Sequence, residues 1–185
     1  MRKLFLMLAV VMTACLISCS QKEAQPQQTE ETPAEQDATT SATPKATDTM
    51  SPEDFVAYLE SCGKYFLATM DGDQPRVRPF SFCDVINGEV YFMTRKHKDV
   101  YKQLVKNPKV QIAAFPNEGR GWMRITCKLV EAETPEVRTH FLDKYPSMKK
   151  AHPVDDPDYA FMKLVGITAV MGDKVYSIKS NSHSS

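Results

Sequence analysis

The chain has 185 residues, 42% hydrophobic and 25% charged, with 23 Lys and Arg balancing 23 Asp and Glu. That is enough chain for one substantial core. It lacks the cationic excess that a nucleic-acid partner would require, so that class of function is set aside.

Residues 1–18 read as an export signal. Arg2-Lys3 form a positive start, and the apolar run over residues 4–17 is short for a bilayer span. The run ends in Leu16-Ile17-Ser18-Cys19, which resembles a bacterial lipobox, whose cysteine is diacylated and becomes the first mature residue. The expectation is a lipoprotein anchored to a cell-envelope membrane through Cys19, each buried CH₂ contributing about 0.8 kcal/mol. An ordinary signal peptide that happens to contain a cysteine is the alternative. Residues 19–50 follow as a tether rich in Gln, Glu, Thr, Ala and Pro without an aromatic residue. Such a stretch cannot bury enough apolar surface to offset its ordering entropy, and disorder is expected. Residues 20–50 hold six acids and two bases, which leaves residues 51–185 close to neutral.

The folded domain is expected over residues 51–185. Ser51-Pro52-Glu53-Asp54 is a helix start, with Ser as N-cap, Pro at the first position and acids in the first turn. Phe55, Val56 and Leu59 form its buried stripe, and Gly63 ends it. Residues 64–70 read as a strand, 71–75 as a turn, and 76–85 as a second strand that completes a hairpin. Pro79 cannot donate to a ladder, so it marks an edge or a bulge. Asn87-Gly88 predicts a second hairpin, since both turn positions favour φ > 0. Its return strand, 90–94, leads into the basic run Arg95-Lys96-His97-Lys98. Asp99 then opens a helix with Val100, Tyr101, Leu104 and Val105 on one face. A helix start beside Lys98 suits an anion. Arg76 and Arg78 alternate along one strand and share a face, making a second cationic patch. The plain alternative is a solvated basic loop beside two surface arginines.

Asn107-Pro108 stops that helix, and residues 109–115 form a strand. Residues 122–133 form a longer one, with Arg124, Thr126 and Lys128 alternating against Met123, Ile125, Cys127 and Leu129. Thr134-Pro135-Glu136 starts a helix to about Lys144, and a short helical piece covers 147–151. Residues 152–158 read as a solvated loop whose acids lack the spacing of a calcium loop. Residues 160–171 are one strand or two, and 174–178 a last one. Cys62, Cys83 and Cys127 have neither metal-ligand spacing nor an even number, so buried free thiols are expected. The fold class is mainly β with flanking helices, a small barrel of short antiparallel strands.

FLATMDGDQPRVRPF, VYFMTRKHKDVYKQL, NPKVQIAAF and WMRI, in this order, resemble the pyridoxamine 5′-phosphate oxidase-like proteins. The resemblance covers nearly all of residues 51–178 and implies the FMN-binding split-barrel fold. It also implies FMN as cofactor and a homodimer with FMN in clefts between the subunits. It assigns Arg76 and Arg78 to the flavin's phosphate and polar edge, and Val77, Pro79 and Phe80 to the ring. Met93-Thr94 match the segment at the ribityl-phosphate end, His97-Lys98 the phosphate-gripping pair, and Trp122 a residue presented toward the flavin. A dianionic phosphate favours cations and N–H donors, and a planar ring favours apolar walls.

True pyridoxamine phosphate oxidases carry a C-terminal Arg- and His-bearing substrate segment for which residues 179–185 show no counterpart. The expectation is therefore a membrane-anchored FMN oxidoreductase acting on a small redox substrate other than vitamin B6. The fold also houses flavin reductases, nitroreductase-like resistance proteins, general-stress proteins, deazaflavin enzymes and haem-degrading relatives. A non-catalytic flavin- or haem-binding stress or storage lipoprotein is the alternative.

Overall fold

The computed structural model describes residues 45–119 and 121–179. Helix α1 (Pro52–Ser61) begins as its sequence dictates: the Ser51 side chain accepts a 3.0 Å hydrogen bond from the Asp54 amide. Strands β2 (Tyr65–Asp71) and β3 (Gln74–Phe80) form a tight hairpin. Among the described residues β3 pairs with β2 alone and is an edge strand, which is where Pro75 and Pro79 are tolerated. A second hairpin joins β4 (Cys83–Ile86) to β5 (Glu89–Arg95), turning at Asn87 (φ 53°) and Gly88 (φ 74°).

The span 76–85, expected as one strand, is therefore two. The chain leaves β2 at Phe80, crosses through Ser81 and Phe82, and pairs anew with β5. Arg76 and Arg78 belong to the first hairpin and not to the one that delivers Lys98.

Helix α2 (Asp99–Lys106) follows, then the antiparallel pair β6 (Lys109–Ala114) and β7 (Met123–Glu131). Helices α3 (Pro135–Lys144) and α4 (Pro146–Ala151) lead into the longest strand, β8 (Tyr159–Met171), and β9 (Lys174–Ile178) closes the described chain. β8 curls the sheet. One edge pairs with β7 over most of its length, while the other is shared by β5 at residues 159–163 and β9 at 168–171. Between those two partners the register with β7 shifts near Cys127, opposite Gly166, whose φ is +64°. An extra residue at a left-handed glycine bends a strand, and here it splits the sheet into a curled half-barrel.

A short strand, β1 (Asp48–Met50), runs parallel to β9. It lies in the stretch expected as disordered tether, so ordered chain begins before residue 51. Three ladder positions and the Thr47 amide bonded to the Val175 carbonyl at 2.9 Å hold it, a pairing that composition does not signal.

Two cores result. The first joins α1 and α2 to the inner face of the sheet through Phe55, Leu59, Leu67, Phe92, Leu104 and Ile125. The second lies under α3 and contains Tyr91, Met93, Phe141, Tyr159 and Phe161. β5 is consequently buried on both faces, Val90 and Phe92 in one core and Tyr91 and Met93 in the other. Cys62, Cys83 and Cys127 are free and buried.

Candidate functional site

The end of β3, the second half of β5 and the start of α2 surround a cavity of about 400 Å³. That volume falls within the range of small-molecule and cofactor sites. Pro79, Phe80, Phe82, Met93, Val100 and Met148 give it apolar walls, and Ser81 and Thr94 add hydroxyls. Its charged lining is wholly cationic: Lys64, Arg78, Arg95 and Lys98. A second cleft, bordered by Asp71, Arg76, Arg78, Lys98, Asp99 and Gln103, adjoins through Arg78, Lys98 and Val100.

The four cations differ in how they are neutralised. Arg95 is 8% exposed and bonds Asp158 through Nε at 2.6 Å and Asp156 through Nη2 at 2.7 Å. Its guanidinium lies 4.7 Å from the centre of the Tyr159 ring, and its Nη1 is buried without a hydrogen-bond partner among the described residues. The Arg95 guanidinium and His97 hold the Asp158 carboxyl far below the usual carboxylate range. Arg95 thus serves the fold, clamping the 152–158 loop to β5. That loop was expected to be merely solvated. The clamp links residues more than sixty positions apart, which local spacing cannot reveal.

Arg78 is held differently. Nη1 donates to Thr69 Oγ1 at 2.5 Å and Nη2 to Gln103 Oε1 at 2.8 Å, both neutral acceptors. Burial first, and then the neighbouring Arg76, push its pKa down, while Asp99 and Asp71 push it back. No carboxylate among the described residues forms an ion pair with Arg78, Lys98 or Lys64. No side chain among the described residues caps the start of α2, where Lys98 is the N-cap. A cleft with cations that are not ion-paired, beside a helix start, is suited to an anion.

Of the residues expected at a flavin, Arg78, Pro79, Phe80, Met93, Thr94 and Lys98 come together on the cavity wall. Arg76 borders only the adjoining cleft, where it ion-pairs with Asp71 at 3.4 Å. Three expected residues are elsewhere in this chain. Val77 is 65% exposed, facing away on the edge strand. His97 is turned to Asp158, which accepts from its backbone amide and contacts Nδ1. Trp122 stacks on Phe115 with ring centres 5.7 Å apart, outside the cavity lining. Lipidation at Cys19 lies outside the described residues.

Sequence reasoning missed Gln103, Thr69, Phe82 and Met148. For Gln103 a signal existed: Val100, Gln103 and Leu104 are the i, i+3, i+4 stripe of α2, and all three are buried. Val105, assigned to that stripe on hydrophobicity, is 63% exposed. Met148 arrives from α4 and carried no signal. His140 contacts Asp84 at 3.1 Å and His152 contacts Asp156 at 3.7 Å, and neither lines the cavity. The Cys83 thiol, beside the cavity residue Phe82, is pushed up to about 12 by burial and is unfit as a nucleophile.

Apolar walls together with cations that ion-pair with no described carboxylate suit a planar ring with a phosphate tail. The family model for pyridoxamine 5′-phosphate oxidase matches residues 51–169. None of the curated proteins matches the chain. Among solved structures, a NimC/NimA family protein from Clostridium acetobutylicum is 31% identical, with a TM-score of 0.64 over 68% of this chain and 91% of its own. General stress protein 26 from Bacillus anthracis is 15% identical, with a TM-score of 0.54 over 66% of this chain and 93% of its own, a likeness of fold alone. The half-barrel, the ordered run of motifs and the matched span have one reading: the chain belongs to the pyridoxamine 5′-phosphate oxidase family, whose members generally bind FMN.

Proposed function

We propose that the protein is an FMN-dependent oxidoreductase of this family, working as a homodimer and held at a cell-envelope membrane through Cys19. One observation carries the cofactor reading. Arg78 and Lys98, which ion-pair with no described carboxylate, bring positive charge to a cavity with largely apolar walls. Phe80, Phe82 and Met93 would wall the ring and exclude water from it. Arg78, Lys98 and the start of α2 would hold the phosphate, with Arg76 adding positive potential from the adjoining cleft. Bound FMN would supply electron and hydride transfer between a reduced donor and a small-molecule acceptor. The chain's own work is to bind and orient.

The dimer reading rests on exposed apolar groups. Phe66, Val77, Phe115 and Trp122 are each more than 40% exposed. Phe66 stands beside Pro79 and Ala113 in the ladder, and Val77 beside Ala68, which makes an apolar sheet face. Pairing through it would cover these groups. Trp122 does not line its own chain's cavity, so a flavin contact by Trp122 has to cross the subunit interface.

The visible spectrum of the full chain, purified in detergent and incubated with FMN, tests the cofactor reading. A bound flavin spectrum that bleaches with NADH or NADPH and recovers with an acceptor is expected. A Soret band on haem addition with no flavin uptake would replace it with the haem-binding reading. For the anchor, Cys19→Ala should move the protein out of the membrane fraction. Retention there would refute it.

A further inference from the structure

We propose that Thr69 and Gln103 act as a neutral clamp that fixes the Arg78 guanidinium for phosphate binding without bonding it to a carboxylate; this rests on reading the cavity as an FMN site. Thr69 is 2% and Gln103 6% exposed, both polar groups in an otherwise apolar layer. A buried polar side chain is costly unless bonded, and these two bond each other and Arg78. Thr69 Oγ1 donates to Gln103 Oε1 at 2.6 Å, and Arg78 reaches Thr69 at 2.5 Å and Gln103 at 2.8 Å. Every role in this ring is determined. A guanidinium only donates, so the atom of Gln103 that meets it must be the amide oxygen. Thr69 Oγ1 accepts from Arg78 and donates its own O–H to Gln103 Oε1.

The protein holds its buried arginine in another way. Arg95 is tied down by two aspartates, and its charge is spent within the fold. Holding Arg78 through Nη1 and Nη2 with a threonine and an amide fixes its guanidinium with no carboxylate bonded to it. The residue at 103 is where that choice is made: α2 presents it beside Val100 and Leu104 on its buried face, and it borders the cleft shared by Arg76, Arg78 and Lys98 with Asp71 and Asp99 at its edge. Glutamate there would keep the geometry and cancel the charge. Gln103 and Thr69 are thus positioning residues, and the neutrality of Gln103 sets the preference for a phosphorylated flavin.

The test is Gln103→Glu in the full chain, titrated with FMN and with riboflavin. FMN affinity should fall about tenfold or more while riboflavin affinity changes less than about twofold, erasing the preference for the phosphorylated ligand. Thr69→Val should reduce the same preference and Thr69→Ser restore it, which keeps the test open if Gln103→Glu fails to fold. An unchanged preference in Gln103→Glu overturns the clamp, as does equal preference in Thr69→Val and Thr69→Ser. Wild type that binds FMN no better than riboflavin rejects the cavity reading itself, and the clamp with it.

Discussion

Lys98→Ala isolates the phosphate contact, because Lys98 forms no ion pair with any described residue and its removal costs the fold no internal bond. The Lys98 side chain is exposed at the mouth of the cavity, so its attraction to a phosphate is partly screened. Two unit charges ~4 Å apart at an effective dielectric of ~20 attract by ~4 kcal/mol, an upper bound at such a site. A charge-assisted hydrogen bond contributes about 1.5–3 kcal/mol, and we take that as the loss. FMN should bind about ten- to a hundredfold more weakly and riboflavin almost unchanged. Flavin fluorescence titration of both ligands against wild type and mutant, at fixed ionic strength, gives the comparison, with thermal unfolding as control. Equal weakening of both ligands would mean that Lys98 acts through folding. Unchanged FMN binding would place the phosphate elsewhere.

Phe141→Ala removes a fully buried ring that packs on Phe161 at 5.6 Å and on Tyr145 at 5.1 Å, and should destabilise by about 3–5 kcal/mol in a denaturant titration. A loss under about 1 kcal/mol would show that the core under α3 collapses freely. Gly166→Ala would meet no atom within 4 Å, so its cost should be the left-handed backbone alone, about 1–2 kcal/mol by the same assay. The acid limb of stability should depend on Asp158. Its carboxyl is depressed in the fold, chiefly by Arg95, so the stability it contributes is complete above the ordinary carboxylate pKa of about 3.9 and is lost as pH falls toward the folded value. Asp158→Asn should lower stability at neutral pH and flatten that acid limb. An unchanged pH profile would place the acid sensitivity in other carboxylates.

Much of the local structure was legible before any coordinates. Ser51-Pro52 and Thr134-Pro135 cap their helices as written, Asn87-Gly88 turns its hairpin, and the alternation in β7 is the burial pattern observed. Each of these signals acts within a few residues and depends on backbone and side-chain preferences that the chain carries with it. The apolar and cationic composition of the site was legible for the same reason, since β3, β5 and the start of α2 hold most of it in two short stretches.

What the chain could not announce is which segments meet. Residues 76–85 contain no turn signal, yet the strand breaks at Ser81 because β2 offers a partner on one side of the break and β5 on the other. Arg76 and Arg78 look equivalent at i, i+2; the fold pairs one with Asp71 and aims the other at Thr69 and Gln103. Arg95 and Lys98 look like one basic run, but aspartates more than sixty residues away bury the first and leave the second open. Sequence by itself determined most of the elements, the family and the kinds of side chain at the site. Tertiary structure decided which of those charges are spent on holding the fold and which remain for a ligand, because neutralisation is a property of neighbours in space and not of neighbours in the chain.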